Sequence, residues 1–287
     1  MRFQFIQTHQ KTYPISLMCR VLQVSRSGYY AWCQRKPSQR EMANKQVLAD
    51  IEEVHRQSRG TYGPWRVYKA LCRLGRQYNH KRITRLMRQH GIRAKRKKSY
   101  KRTTQSNHSY PVAPNKLNRQ FQVSEPNQVW VSDITYVATA EGWLYLAVIL
   151  DLYARRIVGW SMQTTLKRSL VLEALEMAIK QRRPQPGLLH HSDRGSQYAS
   201  HDYQAVLADN KMDVSMSRRG NCYDNAVVES FFGSLKTECI QDTVYPSRRQ
   251  AKLALFDYME VFYNRQRLHS TLDFIPPVEF ERMNGVL

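Results

Sequence analysis

The sequence predicts an α/β protein: an all-helical, helix-turn-helix-like front followed by a mixed sheet flanked by helices. Three observations predict it. Residues 1–124 carry 27 Lys/Arg against 4 Asp/Glu and residues 125–287 carry 18 against 19, so a basic front meets a neutral back. In the front, apolar residues recur at helical spacing between Ser, Asn, Pro and Gly placed as starts and stops. From Val129 the texture turns β-rich, and the order is three strands, helix, strand, helix, strand, helix. A three-strand meander entering α/β units gives a mixed sheet.

Ile15, Met18, Cys19 and Leu22 have helical spacing, and Ser25 or Ser27 can start a second short helix carrying Tyr29, Tyr30 and Trp32. Helix, tight turn, helix is the outline of a DNA-reading motif, and equally of an ordinary helical hairpin. A helix over 41–58 places Val47, Ile51 and Val54 on one face. Pro64 in a first turn and Gly75 past an end bracket a helix from Pro64 to about Leu74. Asn79 as cap and Gly91 as stop bracket another, from about His80 to His90. Ile83, Leu86 and Met87 form its core stripe, with Arg82, Arg85 and Arg88 recurring every third residue beside it. In so basic a half, those arginines read as facing phosphates or a groove. Residues 93–102 hold seven positive charges, including Lys95, Arg96, Lys97, Lys98, Lys101 and Arg102. The stretch 93–124 reads as a basic linker that tracks a nucleic-acid backbone.

In the back, 129–137, 143–150 and 156–162 are strand candidates with short connections. A helix over about 168–182, a strand at 188–191, a helix at about 200–210, a short apolar stretch at 213–216 and a helix over about 225–239 follow. A last helix, about 248–263, is expected to bury Leu253, Phe256, Met259 and Phe262 on one face. The expected organisation is therefore a helix-turn-helix-like segment (1–40), a helical DNA-binding domain (41–92), the basic linker (93–124) and a catalytic core with a C-terminal helix (125–287).

The formal net charge of +22 argues against an acidic small-molecule enzyme and for a polyanionic partner, because clustered Lys and Arg release counterions when they neutralise phosphates. At 42% apolar residues the chain can bury a core. Five cysteines without a C-x-x-C pair read as free thiols in a reducing compartment. Neither a secretory h-region nor an apolar run long enough for a bilayer is visible, so a soluble cytoplasmic protein without membrane attachment is expected.

The chemistry should come from acids at element ends in the neutral half. Asp133 lies within the strand W-V-S-D-I-T-Y, where an acid is costly unless paired or bound to a metal. Asp193 follows the fourth strand in H-H-S-D-R-G-S-Q-Y, and sites in α/β sheets favour such strand ends. Glu229 sits early in the helix N-A-V-V-E-S-F-F-G-S-L-K-T-E, with 35 residues between it and Asp193. Three carboxylates from separate elements can hold two Mg²⁺, a hard cation that prefers oxygen ligands. Two ions about 3.5–4 Å apart would flank one phosphate and serve both the attacking and the leaving oxygen. Lys236, seven residues beyond Glu229, shares its helix face and can touch DNA phosphate, as can Arg194. Glu238 falls on the opposite face, as a surface or packing acid. Asp224 is a candidate helix cap and Asp151 a lesser acid candidate. His190 and His191 read as structural neighbours of Asp193, since no zinc spacing supports them.

W-V-S-D-I-T-Y, L-D-L-Y-A-R-R-I-V-G-W, H-S-D-R-G-S-Q-Y, N-A-V-V-E-S-F-F-G-S-L-K-T-E and Y-N-R-Q-R-L-H-S-T-L together resemble the second-frame (OrfB) transposases of the insertion-sequence-three family, whose D,D-35-E catalytic core is shared with retroviral integrases. The front motifs L-M-C-R-V-L-Q-V-S-R-S-G-Y-Y-A-W, R-G-T-Y-G and R-I-T-R-L-M-R-Q-H-G-I resemble that family too, so the likeness covers nearly the whole chain. The resemblance implies a ribonuclease-H-like core with Mg²⁺, or Mn²⁺ as a substitute, bound by Asp133, Asp193 and Glu229, and Lys236 as the family's basic residue beyond the Glu. It implies cutting of a 3′ strand end with water and joining of the freed 3′-OH to a new phosphodiester. It further implies element-end and target duplex DNA as partners, a homodimer or larger synaptic assembly, and an upstream OrfA product as partner or frameshift fusion.

Three rivals remain at this stage. His191-Ser-Asp-Arg194 is an H-x-x-R string, and Tyr198 or Tyr223 could then act as a recombinase nucleophile. A non-catalytic DNA-binding regulator would explain the charge but not the three acids. A metal-dependent nuclease on the same fold would cut without joining.

Overall fold

The computed structural model describes residues 1–95, 111–218, 222–241 and 243–286. Arg96, Lys97, Lys98, Lys101 and Arg102 lie outside them. The described chain forms two compact units, Met1–Ile51 and Glu52–Leu287.

The first unit opens with a helix that the spacing of its few apolar residues did not announce, α1 (Arg2–His9). Buried Ile6 and half-buried Phe3 join Met18, Cys19 and Tyr29 in a small core. Helix α2 (Ile15–Val21) carries Met18 and Cys19. Helix α3 (Arg26–Cys33) starts at Ser25, whose side chain accepts from the Gly28 amide, as the hydroxyl at that position suggests. The start of α4 (Gln39–Gln57) is a reciprocal capping box: the Ser38 amide donates to Glu41 and the Glu41 amide to the Ser38 hydroxyl.

In the second unit, α5 (Pro64–Arg73) buries Val67 and Leu71. Helix α6 (His80–Gln89) is capped by Asn79 and buries Ile83, Leu86 and Met87, leaving Arg85 and Arg88 exposed and Arg82 half-buried. These helices share the unit with the sheet, so packing divides the chain at residue 51 and not at the ends of the helical patterns. The Leu268 amide donates to the Tyr62 hydroxyl over 2.7 Å, Arg59 pairs with Asp257, and Arg73 with Glu279. The far end of the expected linker is packed as well. Leu117 is buried, and the amides of Lys116 and Leu117 both donate to the Ser215 hydroxyl.

The sheet is built from β1 (Val129–Thr139), β2 (Gly142–Asp151), β3 (Arg156–Gln163), β4 (Leu189–Ser192) and β5 (Asp213–Met216) in the order β3-β2-β1-β4-β5. The first three form an antiparallel meander, and β4 and β5 add parallel to β1 and to each other. Gly142, at φ +100°, makes the tight β1–β2 turn that a side chain would strain. Between β3 and β4, α7 (Arg168–Arg182) lays Leu170, Val171, Ala174, Leu175 and Ala178 against Trp130, Ala147, Ile149 and Val158. It approaches so closely that a Cβ on Gly159 would stand 2.2 Å from the Ala174 carbonyl oxygen. Helix α8 (His201–Asp209) joins β4 to β5. The alternate residues Val131, Val137, Leu146 and Val148 are buried too, so both faces of the sheet are covered. Against β1 lie α9 (Ala226–Leu235) and α10 (Arg248–Phe256). The chain ends with α11 (Pro277–Met283), beyond the helix expected to be the last.

The last long helix differs from the expected stripe. Met259 and Phe262 are buried, but Leu253 is 62% and Phe256 46% exposed. Residues Asp257–Tyr263 wind as a π-helix, whose i→i+5 bonding widens the turn. The buried set is Ala251, Leu255, Tyr258, Met259, Phe262 and Tyr263, one stripe at helical spacing that leaves Leu253 and Phe256 on its flank. Just beyond it, the Asn264 amide group accepts from the Ile157 N–H and donates to the Ile157 carbonyl, satisfying edge strand β3 beside its bulge.

Candidate active site

The central strand carries the first acid. Asp133 sits on β1, and the β1–β4 pairing sets Val131 beside His191. Asp193 follows directly on β4, close enough to Asp133 for its charge to be felt there. Burial pushes the Asp133 carboxyl well above the usual carboxylate range, and the negative charges of Asp193 and Glu229 push the same way. The Ile134 amide, which donates to it over 2.7 Å, and the Lys236 ammonium act in the opposite sense. Asp133 is thus the member that senses both other acids. Among the described residues no three His, Cys, Asp or Glu side chains lie close enough to ligate one ion together.

Each partner is held by local structure. Asp193 Oδ1 accepts from the Gly195 amide at 2.9 Å, tightening the turn after β4. Arg194, expected at DNA, donates through Nε to the Ser217 carbonyl at 2.6 Å, which ties that turn to the end of β5. Exposed Glu229 lies in the first turn of α9. The start of α9 is fastened to β1 by a contact the sequence reading missed: Asn225 Nδ2 donates to the Ser132 carbonyl at 3.1 Å, one residue from Asp133. The only signal for it was the position of Asn225 at the helix start. Helix α9 stays α-helical through Leu235, so the seven-residue spacing does bring Lys236 to the Glu229 face. Its Nζ lies 5.5 Å from the ring centre of Tyr136.

The other acids are structural. Asp224 does not cap α9. It is fully buried and pairs with Arg218 and Arg119, which hold its carboxyl far below the usual range. Asp151, also fully buried, pairs with Arg182 at 3.1 Å. Glu238 follows in a π-helical turn, Lys236–Ile240, and is buried in a two-pronged pair with Arg267 at 2.6 and 2.7 Å, plus the Tyr258 hydroxyl at 2.8 Å. Lys95, another expected DNA contact, reaches the Glu238 carbonyl with its Nζ at 2.7 Å.

The two histidines beside Asp193 are core groups. His190 Nε2 shares a 3.0 Å hydrogen bond with the Tyr203 hydroxyl, and His191 bonds the hydroxyls of Ser215 and Ser217. Burial pushes His190 down to about 3 and His191 to about 4. The unfolded chain, titrating His190 near its ordinary value, binds a proton the native state refuses. The resulting stability is complete above about pH 6.5 and is lost as pH falls toward 3, by up to about 1.4 kcal/mol per pH unit. Urea midpoints are expected to fall between pH 7 and pH 5, with a shallower fall in His190→Gln.

A sheet of this order, with carboxylates on its central strand, after the adjoining parallel strand and on a following helix, defines a catalytic core of the integrase kind. Family models described as Integrase core domain match residues 123–222 and 229–284, and one described as HTH-like domain matches 42–100. The chain is 42% identical over 286 residues to the transposase InsF for insertion sequence IS3A of Escherichia coli (strain K12), covering 99% of each. It is 46% identical over 263 residues, 92% of this chain and 97% of the other, to an uncharacterized 31 kDa protein of insertion element IS600 from Shigella sonnei. Among solved structures, a chain from a simian T-cell lymphotropic virus intasome in complex with PP2A regulatory subunit B56 gamma aligns over 76% of this chain and 74% of its own, at TM-score 0.46 and 17% identity. The chain belongs to the IS3 family of insertion-sequence transposases, and its back half is a ribonuclease-H-like integrase core. Among the described residues no helix is long and apolar enough to cross a membrane.

Proposed function

We propose that this transposase cuts a 3′ strand end of its element with water and joins the freed 3′-OH to a new phosphodiester, with Asp133, Asp193 and Glu229 as the catalytic acids. The observation that supports the reading is Asp133 within the central strand, where its carboxyl feels the charges of both Asp193 and Glu229. Oxygen-only donors with this surplus of negative charge fit hard divalent cations. Asp133 shared between Asp193 and Glu229 makes two pairs, suited to two Mg²⁺, with Mn²⁺ as a substitute. Bound there, the ions would lower the barrier by stabilising charge on the attacking and leaving oxygens of an in-line displacement.

The chain's own groups position the DNA. Lys236, on the Glu229 face, faces a phosphate beside the acids, while Tyr136 supports its ammonium from below. Arg82, Arg85 and Arg88 on α6, and the basic run from Lys95 to Arg102, give affinity for duplex DNA that weakens as salt rises. Arg194 acts first on the protein, through Ser217, and fixes the turn that presents Asp193. Synapsis of two element ends calls for at least a dimer, and an upstream OrfA product is a further partner, as in the family.

The tyrosine-nucleophile reading is weaker. Tyr198 is 1% exposed, and burial pushes its hydroxyl well above the ordinary value. His191 is held neutral in the core, so the H-x-x-R pair is not available to a phosphate. The deciding measurement is strand transfer on DNA flanking the gene, with and without Mg²⁺, comparing wild type with Glu229→Gln. Joined product that needs Mg²⁺, is absent in the variant and comes without a protein–DNA adduct supports the proposal. A covalent adduct formed without metal overturns it, and cutting without joining makes the protein a nuclease.

A further inference from the structure

Helix α5 begins with Pro64, and the next residue, Trp65, is 48% exposed. Three further rings meet it there. His80, at the start of α6, stands edge-on at 4.8 Å between centres. Tyr68 lies at 5.4 Å and Phe274 at 6.5 Å, the latter again edge-on. Lys69 Nζ is 5.9 Å from the Trp65 ring centre and 5.3 Å from that of Phe274. Phe274 comes from a distant part of the chain and is held there at some strain. Asp273 and Phe274 have φ of +47° and +60°, a region that side-chain-bearing residues avoid. The His269 carbonyl locks that turn by accepting from the amides of both Leu272 and Phe274.

An aromatic cluster that presents one exposed ring can meet apolar protein or a nucleobase, and the charge around it chooses. Residues 63–95 contain ten Lys/Arg and not one Asp or Glu. The acid beside the rings is Asp273, 3.7 Å from Lys69, with 87% of its side chain exposed. Exposed pairs of this kind are weak and yield to a stronger anion. Protein interface cores are poor in charge, whereas rings set among cations suit a base and its phosphate. A base in an intact duplex hides both faces in its stack, so only an unpaired nucleotide can lie on a protein ring.

We propose that Trp65, with Tyr68, His80 and Phe274 around it and Lys69 beside it, is a stacking platform for an unpaired base of the DNA on which the enzyme acts. This rests on the reading that the enzyme handles cut strand ends, and it adds a site to the helical segment that is otherwise read as gripping phosphates.

The test measures affinity of the full chain for a blunt duplex and for the same duplex with a short single-stranded tail containing 2-aminopurine. Wild type is expected to prefer the tailed DNA by about tenfold, in the range of one base stacked on one aromatic ring, and to change the 2-aminopurine emission. Trp65→Ala is expected to remove that preference while leaving blunt-duplex affinity unchanged, and Phe274→Ala to reduce it. Lys69→Ala is expected to weaken both DNAs. Should alanine unfold the helix, as read by a thermal melt, Trp65→Leu keeps apolar bulk without a wide ring face. Equal affinity of wild type for the two DNAs, or a preference that survives in Trp65→Ala and Trp65→Leu, overturns the proposal. So does an unchanged DNA profile with altered self-association in sedimentation, which would make the patch a protein interface. Mg²⁺-dependent joining without tail preference sinks the platform alone. Tail preference without joining sinks the catalytic reading alone.

Discussion

Asp193→Asn is expected to lower strand cleavage and joining by about 10³-fold or more while DNA binding stays as in wild type, because losing an anionic ligand forfeits several kcal/mol of transition-state stabilisation and each 1.36 kcal/mol is tenfold in rate. Asparagine keeps the size of the side chain and an oxygen that can still accept from the Gly195 amide, so the turn after β4 should stand. It removes one of the charges that press on the Asp133 carboxyl. Melting of the metal-free variant should therefore occur at or above the wild-type temperature. Activity lost together with stability would point to a misfolded turn, and full activity would remove Asp193 from the chemistry. Gel-shift affinity, a cleavage assay and a thermal melt on one preparation separate these outcomes.

Arg182→Met is expected to destabilise the second unit by about 3–5 kcal/mol, the usual consequence of leaving a buried charge unpaired. Arg182 closes a network at the end of α7, and its side chain is 5% exposed. It donates to Asp151 at 3.1 Å, to both oxygens of Glu281 at 2.9 and 3.0 Å, and to Asn127 at 2.9 Å. Glu281, fully buried on α11, also pairs with Arg156 of β3. Burial already pushes the Asp151 carboxyl above its usual range in spite of Arg182 and the amides of Asn127 and Tyr153. With methionine in place, Asp151 would lose its ion pair and Glu281 would keep Arg156 alone. Urea denaturation measures the loss, and adding Asp151→Asn should recover part of it by removing one stranded charge. A variant as stable as wild type would mean that water reaches the network.

Much of the proposed site was legible because its parts are local. Asp133 in an apolar strand, Asp193 after a short strand and Glu229 early in a helix are features of a few residues each, and the helical repeat alone placed Lys236 with Glu229 and turned Glu238 away. What Glu238 turns toward was not legible. Arg267, its partner, lies 29 residues on, across a π-helical turn that no periodicity announces. The same holds for Asn225, whose bond to Ser132 spans 93 residues, and for the rings gathered around Trp65 from residues as far apart as 65 and 274. Lys95 looked like one more cation of a basic run, and the fold gives it a carbonyl on Glu238.

The sequence by itself determined the two-part charge, the identity and order of the main elements, the caps at Ser25 and Asn79, and the family. Those depend on backbone preference and side-chain spacing within a turn or two, which the chain carries wherever it folds. Only the tertiary structure decided that α5 and α6 share a unit with the sheet, and that Asp151 and Asp224 serve as buried ion pairs. Such outcomes depend on which groups remove water from a charge or an apolar face, and that choice is made when separate elements come into contact.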